Sequence, residues 1–251
     1  MIDSAHQTAV AAARAAGQLL RENFGSSLTV NAFEAHDIKL DLDVRAQDLI
    51  TRMLLERFPD HAIYGEEGMA GNSASEYQWI VDPIDGTVNY FYSIPHFCIS
   101  IALRRAEEII VGVIYDPMRD ELWEAGVGEG ALLNGRPIQV SARTRLGDAM
   151  VSVGMSKTAT TISEGVPLLA EYAQKVRKCR LMGSAALDLA YVACGRLDAY
   201  IEQSVSLWDV AAGKILVERA GGRFEMKLRA DNKEKMSVTA SSGNLGELKG
   251  W

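Results

Sequence analysis

The sequence lacks an apolar segment long enough to cross a membrane, because no uninterrupted hydrophobic run reaches the roughly 18 residues that a spanning helix needs. Its first residues, MIDSAHQTAV, lack the charged-then-apolar order of a secretory signal. Basic residues are also few, with 26 Lys and Arg against 33 Asp and Glu and a net charge of -7. Since a nucleic-acid surface needs clustered Lys and Arg, we expect neither a membrane nor a nucleic acid as a partner.

Cysteine and histidine are scarce and poorly spaced for disulfide or zinc chemistry. The three cysteines form no CxxC pair and lie in apolar stretches, so we expect buried free thiols and a reducing, cytoplasmic compartment: Cys98, Cys179 and Cys194. The histidines show neither HExxH nor paired spacing and are interpreted as structural or surface residues: His6, His36, His61 and His96.

Hydrophobic residues make up 48% of the 251 positions, enough for one large domain or two closely packed halves. In residues 1–140 two predicted helices precede a series of predicted strands, and this order is typical of an α+β meander. From residue 141 to 251 strands and helices alternate, as in an α/β sandwich. We therefore expect two halves, 1–140 and 141–251, packed tightly as one unit.

The expected elements follow from periodicity and from turn residues. Helices are predicted from a Ser4 cap to near Gly25, and at 44–57, 163–177, 184–195 and 208–222. Strands are predicted at AIYG, WIVD, FCISIALRR, EIIVGVIYDP, ELWEAG, AMVSVG, KCRLMG, DAYIE, RFEM and MSVTA, with a hairpin at Asn134-Gly135.

The stretch WIVDPIDGTVNY, residues 79–90, ends an apolar strand on two carboxylates, Asp82 and Asp85. Pro83 fixes its own φ and can present a backbone carbonyl, that of Ile84, beside them. Two carboxylates and a carbonyl are hard oxygen ligands, which suit Mg²⁺. The alternative is a turn in which Asp85 caps a short helix over residues 86–90, although the N–H groups freed there would also attract an anion.

Two further acidic positions have ordinary alternatives. Glu66 and Glu67 lie in GEEG, residues 65–68, which by itself is typical of a solvated loop. Asp209 opens a helix, where an aspartate is usually a cap. Trp208 beside it is large enough to hold the acid against a neighbouring element.

Together, GEE at 65–67, DPIDGTVNYF at 82–91 and WDVAAGKILVERAGG at 208–222 closely resemble the magnesium-dependent, lithium-sensitive inositol monophosphatase family. VGVIYDPMRDELWEAGVGEGALLNG and GSAALDLAYVACGRLDAYIE match its pattern too, so the resemblance covers roughly residues 30–240. The pairing of Asp-Pro-hydrophobic-Asp-Gly-Thr with a later Trp-Asp is highly specific. The resemblance implies an α+β fold layered as an αβαβα sandwich, lithium inhibition and a homodimer.

The resemblance also implies a metal site with two Mg²⁺ ions, to which many relatives add a third and weaker one. The implied ligands of the first ion are Glu66, Asp82 and the Ile84 carbonyl, and those of the second are Asp82, Asp85 and Asp209. Asp82 would bridge the two ions, and Glu67 would support the ligands without binding metal itself.

The same resemblance assigns the catalytic and substrate contacts. Backbone N–H groups of Gly86 and Thr87 would cradle the phosphate. The Thr87 hydroxyl, with Asp43, would orient the attacking water, and Glu66 would help to activate it through the metal. The residues implied to contact the alcohol portion of the substrate are Gly183, Ser184, Ala185 and Glu202.

The chain departs from the family pattern ahead of the second helix. The family commonly has Asp-hydrophobic-Val-Thr-x-x-Asp where this chain has DIKLDLD, residues 37–43, so Lys39 and Leu40 replace the valine and the threonine. Gln47 stands where a glutamate is usual. Asp43 keeps its place, so the water-orienting role is retained.

The resulting prediction is a Mg-dependent phosphomonoesterase acting on inositol monophosphate or a related polyol or sugar phosphate. Relatives that cleave 3′-phosphoadenosine 5′-phosphate, fructose 1,6-bisphosphate or histidinol phosphate share the fold, and fold alone does not choose among these substrates. A covalent aspartyl-phosphatase is disfavoured, because DLDV at 41–44 follows a polar stretch rather than a strand. A non-catalytic regulatory homologue is disfavoured too, because every ligand position is kept.

Overall fold

A computed structural model describes residues 2–33, 38–155, 158–246 and 248 of the chain. In this part of the chain the helices are α1 (Ile2–Asn23), α2 (Asp41–Arg57), α3 (Thr87–Phe91), α4 (Ala159–Lys175), α5 (Ala185–Ala193) and α6 (Leu207–Arg219), with a 3₁₀ turn at Leu146–Asp148. The strands are β1 (Val30–Phe33), β2 (Ile38–Leu40), β3 (Ala62–Gly65), β4 (Gly68–Gly71), β5 (Tyr77–Asp85), β6 (Cys98–Arg105), β7 (Glu108–Asp116), β8 (Glu121–Gly126), β9 (Leu132–Leu133), β10 (Arg136–Pro137), β11 (Met150–Val153), β12 (Lys178–Arg180), β13 (Ala199–Val205), β14 (Arg223–Leu228) and β15 (Met236–Ser241).

The strands form two large sheets and one small hairpin, β1–β2. The first sheet has eight strands in the order β10-β9-β8-β7-β6-β5-β3-β4, and only its β3–β5 pair is parallel among the described residues. The second sheet has five strands in the order β12-β11-β13-β15-β14, with β11 parallel to both of its neighbours. The α+β prediction is confirmed.

Helices separate and cover the two sheets. Helices α1 and α2 pack on the outer face of the first sheet, where the core is built from their apolar stripes and from β5, β6 and β7. Helices α5 and α6 fill the space between the sheets, and α4 covers the far face of the second sheet. The layers therefore follow the expected αβαβα order, and the N-termini of α5 and α6 lie in the middle of the molecule.

Several predicted boundaries were wrong. Ser4 is no cap, because α1 already begins at Ile2 and the Ser4 carbonyl accepts the Thr8 hydroxyl at 2.7 Å inside the helix. Helix α2 begins at Asp41 rather than residue 44, since acids in a first turn favour the helix dipole. Helix α4 begins at Ala159 rather than residue 163, after the Thr158 cap. His36 and Asp37, which carried predictions, lie outside the described residues.

Three short strands, β1, β2 and β4, were missed. Because β2 ends at Leu40, the DLDV segment at 41–44 does follow a strand, contrary to the expectation from its polar neighbours. Cys98 is buried as predicted, but Cys179 and Cys194 are only partly covered, and all three thiols are free. Among the described residues, no helix has both the length and the apolar character needed to span a bilayer.

Candidate metal centre

The parallel pairing of β3 with β5 brings the first two acidic segments together. Gly65 lies beside Val81 in this register, so Glu66 and Asp82 follow at the same edge of the sheet. The Glu66 N–H donates to the Val81 carbonyl at 3.1 Å, which fixes the start of the turn. The acidic turn is therefore attached to the strand that carries Asp82.

The sequence predicts that this strand stops at Asp82, but β5 continues to Asp85. Regular alternation would send side chains three residues apart to opposite faces. The pairing of β5 with β6 is irregular between Asp82 and Asp85, and such a bulge re-aims side chains. Pro83, which has no N–H to offer a ladder, lies within this irregular stretch. The irregularity lets both carboxylates face the same site.

The third acid arrives from the second half of the chain. Asp85, Asp82 and Asp209 each offer a carboxylate oxygen, and the three atoms lie within 4.8 Å of one another. The cap of α6 is Ser206, whose N–H donates to Asp209 in the first turn of the helix at 2.7 Å, so Asp209 completes a capping box and also joins the cluster. The Trp208 ring packs against Tyr64 of β3 at 5.4 Å between centroids, which holds this helix start on the first sheet.

Burial and mutual repulsion dominate the electrostatics of the cluster. Burial raises the pKa of Asp82 well above its ordinary value, and Glu66, Asp85 and Asp209 raise it further. Burial, followed by the charge of Asp209, raises the pKa of Asp85 to about 6. Within the described part of the chain, neither Asp82 nor Asp85 forms an ion pair with Lys or Arg. Buried carboxylates without a cationic partner are costly, and a divalent cation would neutralise them.

Helix α5 holds Asp85 through its N-terminus. The Ser184 hydroxyl donates to one carboxylate oxygen of Asp85 at 2.5 Å, and the Ala186 N–H donates to the same oxygen at 2.7 Å. The Ala185 N–H reaches the other oxygen at 3.3 Å. These donors lower the pKa of Asp85 against the effect of burial, and so favour the charged form that a metal binds.

Asp43, Thr87 and the Ile84 carbonyl form a second group beside the acids. The Thr87 hydroxyl lies 2.9 Å from the Ile84 carbonyl and 3.2 Å from a carboxylate oxygen of Asp43. The other Asp43 oxygen accepts the Leu40 N–H at 2.8 Å. Burial, followed by the charge of Glu67, raises the pKa of Asp43 to about 7. The Thr87 hydroxyl therefore lies between the Asp43 carboxylate and the Ile84 carbonyl.

Gly86 joins β5 to α3 in a conformation that requires glycine. Its φ is 99°, and an added Cβ would lie 3.1 Å from the His96 carbonyl and 3.2 Å from the Gly183 carbonyl. Asn89, on α3, donates to the His96 and Met182 carbonyls at 2.9 Å each. The short helix is therefore tied to the loop that precedes α5.

The departure at Gln47 has a structural reason. Its amide nitrogen donates to the Gly68 carbonyl at 3.2 Å, while its amide oxygen accepts the Glu67 N–H at 2.9 Å. A glutamate at this position could accept but, when ionised, could not donate. Gln47 therefore fixes the acidic turn from both sides, and Gly65 leaves it room, because an added Cβ there would lie 2.2 Å from the amide oxygen.

The other departures lie close by. Leu40 is fully buried in the core, and its backbone rather than its side chain contacts Asp43. The Lys39 ammonium is 3.7 Å from a carboxylate oxygen of Glu67, which gives this acid a cationic partner. Lys39 therefore supplies to Glu67 the positive charge that Asp82 and Asp85 lack among the described residues.

The remaining expected substrate contacts divide into two places. Gly183, Ser184 and Ala185 are at the start of α5, where the last two hold Asp85. Glu202 lies on β13, and the Tyr200 hydroxyl donates to it at 2.5 Å.

Sequence reasoning assigned Ser184 to the substrate and missed its hydrogen bond to Asp85, although a serine before a helix is typical of a cap and could have indicated a donor to an acid. It also missed two other residues near the site. Cys98 lies 3.8 Å from both Asp85 and Ser184, and nothing in its local sequence indicates this. Buried Asp188, which accepts the Ser152 hydroxyl at 2.7 Å beneath the site, reads locally as an ordinary helix residue.

Comparisons with known proteins agree with this geometry. Residues 1–242 match the sequence model of the Inositol monophosphatase family. It is 42% identical to "Nus factor SuhB" of Xylella fastidiosa, over 94% of this chain and 88% of that protein. It is 40% identical to "Inositol-1-monophosphatase" of Mesorhizobium japonicum, over 85% of this chain and 82% of that protein. The crystal structure of the extragenic suppressor protein suhB from Bartonella henselae superposes with a TM-score of 0.88 at 35% identity, covering 96% and 94% of the two chains.

Proposed function

The chain belongs to the inositol monophosphatase family and is a phosphomonoesterase, and we propose that it hydrolyses myo-inositol 1-phosphate or a closely related polyol phosphate with Mg²⁺. The observation that carries this proposal is the convergence of Asp82, Asp85 and Asp209 from distant segments. The hard oxygen donors of all three acids, and the absence of an ion pair to Asp82 or Asp85 among the described residues, fit a divalent ion better than any use of the acids alone.

We assign the ligands as the family resemblance implies. A first ion would be held by Glu66, Asp82 and the Ile84 carbonyl, and a second by Asp82, Asp85 and Asp209. When bound, such a pair of cations lowers the pKa of water and stabilises both the attacking and the leaving oxygens of a phosphoryl transfer. The register that brings Glu66 beside Asp82 supports the first set.

The chain's own groups would place the reactants. Asp43 and the Thr87 hydroxyl would orient the attacking water, and Glu66 would help to activate it through the metal. The 3.2 Å contact between Thr87 and Asp43 supports this pairing. Backbone N–H groups of Gly86 and Thr87 would bind the phosphate oxygens. The left-handed conformation of Gly86 supports this role, since it turns the chain sharply at that point.

The alcohol portion of the substrate would be bound by Glu202 and by residues 183–185. An acid that binds hydroxyl groups favours a polyol over an adenosine or a fructose bisphosphate. The test is a panel of inositol 1-phosphate, 3′-phosphoadenosine 5′-phosphate, fructose 1,6-bisphosphate and histidinol phosphate with Mg²⁺. We expect the fastest turnover with inositol 1-phosphate, and much faster cleavage of another member would reject the assignment.

Two other functions are disfavoured, that of a non-catalytic regulatory protein and that of a phosphatase with a covalent aspartyl-phosphate. A purely regulatory homologue should have lost at least one ligand, whereas Glu66, Asp82, Asp85, Thr87 and Asp209 are all present. A covalent aspartyl-phosphate is disfavoured because the DLDV acids lie in the first turn of α2, and Asp43 there is bonded to Leu40 and Thr87. Phosphate release without a trapped phosphorylated aspartate would support direct attack by water.

We further propose lithium inhibition, a homodimer and a cytoplasmic location, as the family resemblance implies. Three free cysteines are compatible with a reducing compartment. The halves 1–140 and 141–251 would work as one unit, because Asp209 must reach the acids of the first half.

A further inference from the structure

Tyr200 and Glu202 project from the same face of β13, since they are two residues apart on a strand. Tyr200 belongs to the core between the two sheets, together with residues of α5 and α6. Its neighbours Ala199 and Ile201 face the opposite way, into the cluster beneath α4. Glu202 therefore lies on the face of β13 that is directed toward the N-termini of α5 and α6, where Ser184 and Asp209 lie.

The Tyr200 hydroxyl holds the Glu202 carboxylate through a hydrogen bond. Tyr200 is fully buried, and its hydroxyl donates to the Oε2 atom of Glu202 at 2.5 Å. Burial, followed by the charge of Glu202, raises the pKa of Tyr200 well above its ordinary value, so the phenol keeps its proton and remains a donor. A buried donor of this kind gives the flexible glutamate a fixed rotamer.

Gly154 packs closely against the same carboxylate. It follows β11, and its N–H donates to the Ile201 carbonyl at 2.8 Å, which continues the pairing of β11 with β13. An added Cβ at Gly154 would lie 1.8 Å from Oε2 and 2.4 Å from Cδ of Glu202. The φ of Gly154 is outside the left-handed region, so glycine is needed here for space rather than for backbone conformation.

We propose that Tyr200 and Gly154 are positioning residues that hold the Glu202 carboxylate in place for one hydroxyl of the substrate, and so determine a preference for polyol phosphates over esters without hydroxyl groups. This inference rests on the proposed function, because it needs Glu202 to bind substrate. Both residues contact the Glu202 side chain, through which they would act on the substrate. Their effect should therefore depend on the alcohol and not on the phosphoryl group.

The test compares two substrates, myo-inositol 1-phosphate and p-nitrophenyl phosphate, which has no alcohol hydroxyl. Tyr200→Phe removes only the donor, and Gly154→Ala displaces the carboxylate without removing a buried hydroxyl. For each variant we expect KM for inositol 1-phosphate to rise about tenfold with kcat nearly unchanged. The constants for p-nitrophenyl phosphate should stay within about twofold of wild type, which also reports that the variant is folded.

Two controls separate positioning from general damage. Tyr172→Phe alters another buried tyrosine of the second half, on α4, and should change the preference between substrates by less than twofold. In a Glu202→Ala background, adding Tyr200→Phe should have no further effect on inositol 1-phosphate, because the residue it positions is gone.

The outcomes distinguish this inference from the proposed function. If the wild type releases no phosphate from either ester with Mg²⁺, the proposed function fails. If the wild type cleaves p-nitrophenyl phosphate but not inositol 1-phosphate, the polyol assignment fails, and this inference fails with it. If it cleaves both but Tyr200→Phe and Gly154→Ala leave the preference unchanged, or slow both substrates equally, only the positioning role is overturned.

Discussion

The Ser184 hydroxyl lies 2.5 Å from the carboxylate of Asp85, across 99 residues of chain. Ser184 is also the residue from which α5 begins, so one side chain both starts a helix and orients an acid of the Asp82, Asp85 and Asp209 cluster. Groups that hold metal ligands in this way commonly affect affinity as strongly as many direct ligands do.

Ser184→Ala should therefore weaken Mg²⁺ binding by about 10-fold to 100-fold. The loss of the donor raises the pKa of Asp85 further, so less of the charged ligand is available at neutral pH. The measurement is the Mg²⁺ concentration that gives half-maximal phosphatase activity. Ser237→Ala, at a buried serine bonded to the Gln203 carbonyl, is the matched control and should leave that concentration unchanged.

Without metal, stability should fall as the pH rises from about 4 to 7. The folded-state pKa values of Asp85 (about 6) and Asp43 (about 7) are raised above the ordinary value of 3.8, so the folded state binds these protons more tightly. Their contribution is complete below that ordinary value and is lost as the pH passes the folded-state pKa. For Asp85 the loss is on the order of 3 kcal/mol.

Thermal unfolding of metal-free protein across this pH range measures the effect. Asp85→Asn should flatten the fall in Tm, because the asparagine does not titrate. Added Mg²⁺ should raise Tm most at the high-pH end, where the carboxylates are charged. A metal-free Asp85→Asn protein with the same pH slope as wild type would contradict the assignment.

Gln47→Glu, which restores the usual family residue, should destabilise this chain by about 1–3 kcal/mol. The new carboxylate cannot donate to the Gly68 carbonyl, and it adds a negative charge beside Glu67. Urea unfolding at neutral pH measures the change. Gln7→Glu, at an exposed position near the start of α1, is the control and should change stability by less than about 0.5 kcal/mol.

Glu202→Ala should raise KM for polyol phosphates by about tenfold while kcat changes little, because a lost hydroxyl contact weakens ground-state and transition-state binding alike. Steady-state kinetics with inositol 1-phosphate measures the split. Glu202→Gln keeps one oxygen acceptor and should have a smaller effect. An unchanged KM in the alanine variant would remove the substrate role of Glu202.

Local patterns predicted most helices and strands, whereas the family resemblance implied the αβαβα layering and the convergence of the acids. Apolar runs and turn residues located most strands, and the spacing in DPIDGT and WDVAAG indicated acids at the ends of elements. The irregularity between Asp82 and Asp85 is set by pairing with β6, and such pairing leaves no local signal. The role of Gln47 similarly depends on a turn about 20 residues away.

Local sequence also fails to predict the contacts at the start of α5 and the formation of β4. Ser184 could be predicted as a cap, but its contact with Asp85 requires the two sheets to be stacked around α5. Strand β4 is GMAG, whose glycines disfavour a strand, and it forms because the turn at Glu66 folds it back onto β3. Tertiary contacts override local propensity at both places.

The most direct test is calorimetric titration of Mg²⁺ into the wild type and Asp82→Asn, with inorganic phosphate present. Because the family resemblance assigns Asp82 to the ligands of both proposed ions, we expect saturable uptake of more than one ion per wild-type chain. Asp82→Asn should lose this uptake and reduce turnover by at least about 1,000-fold. Asp116→Asn, at a buried carboxylate paired with Arg119, is the control and should keep both. No saturable uptake by the wild type, or undiminished uptake by Asp82→Asn, would contradict a metal site at these acids.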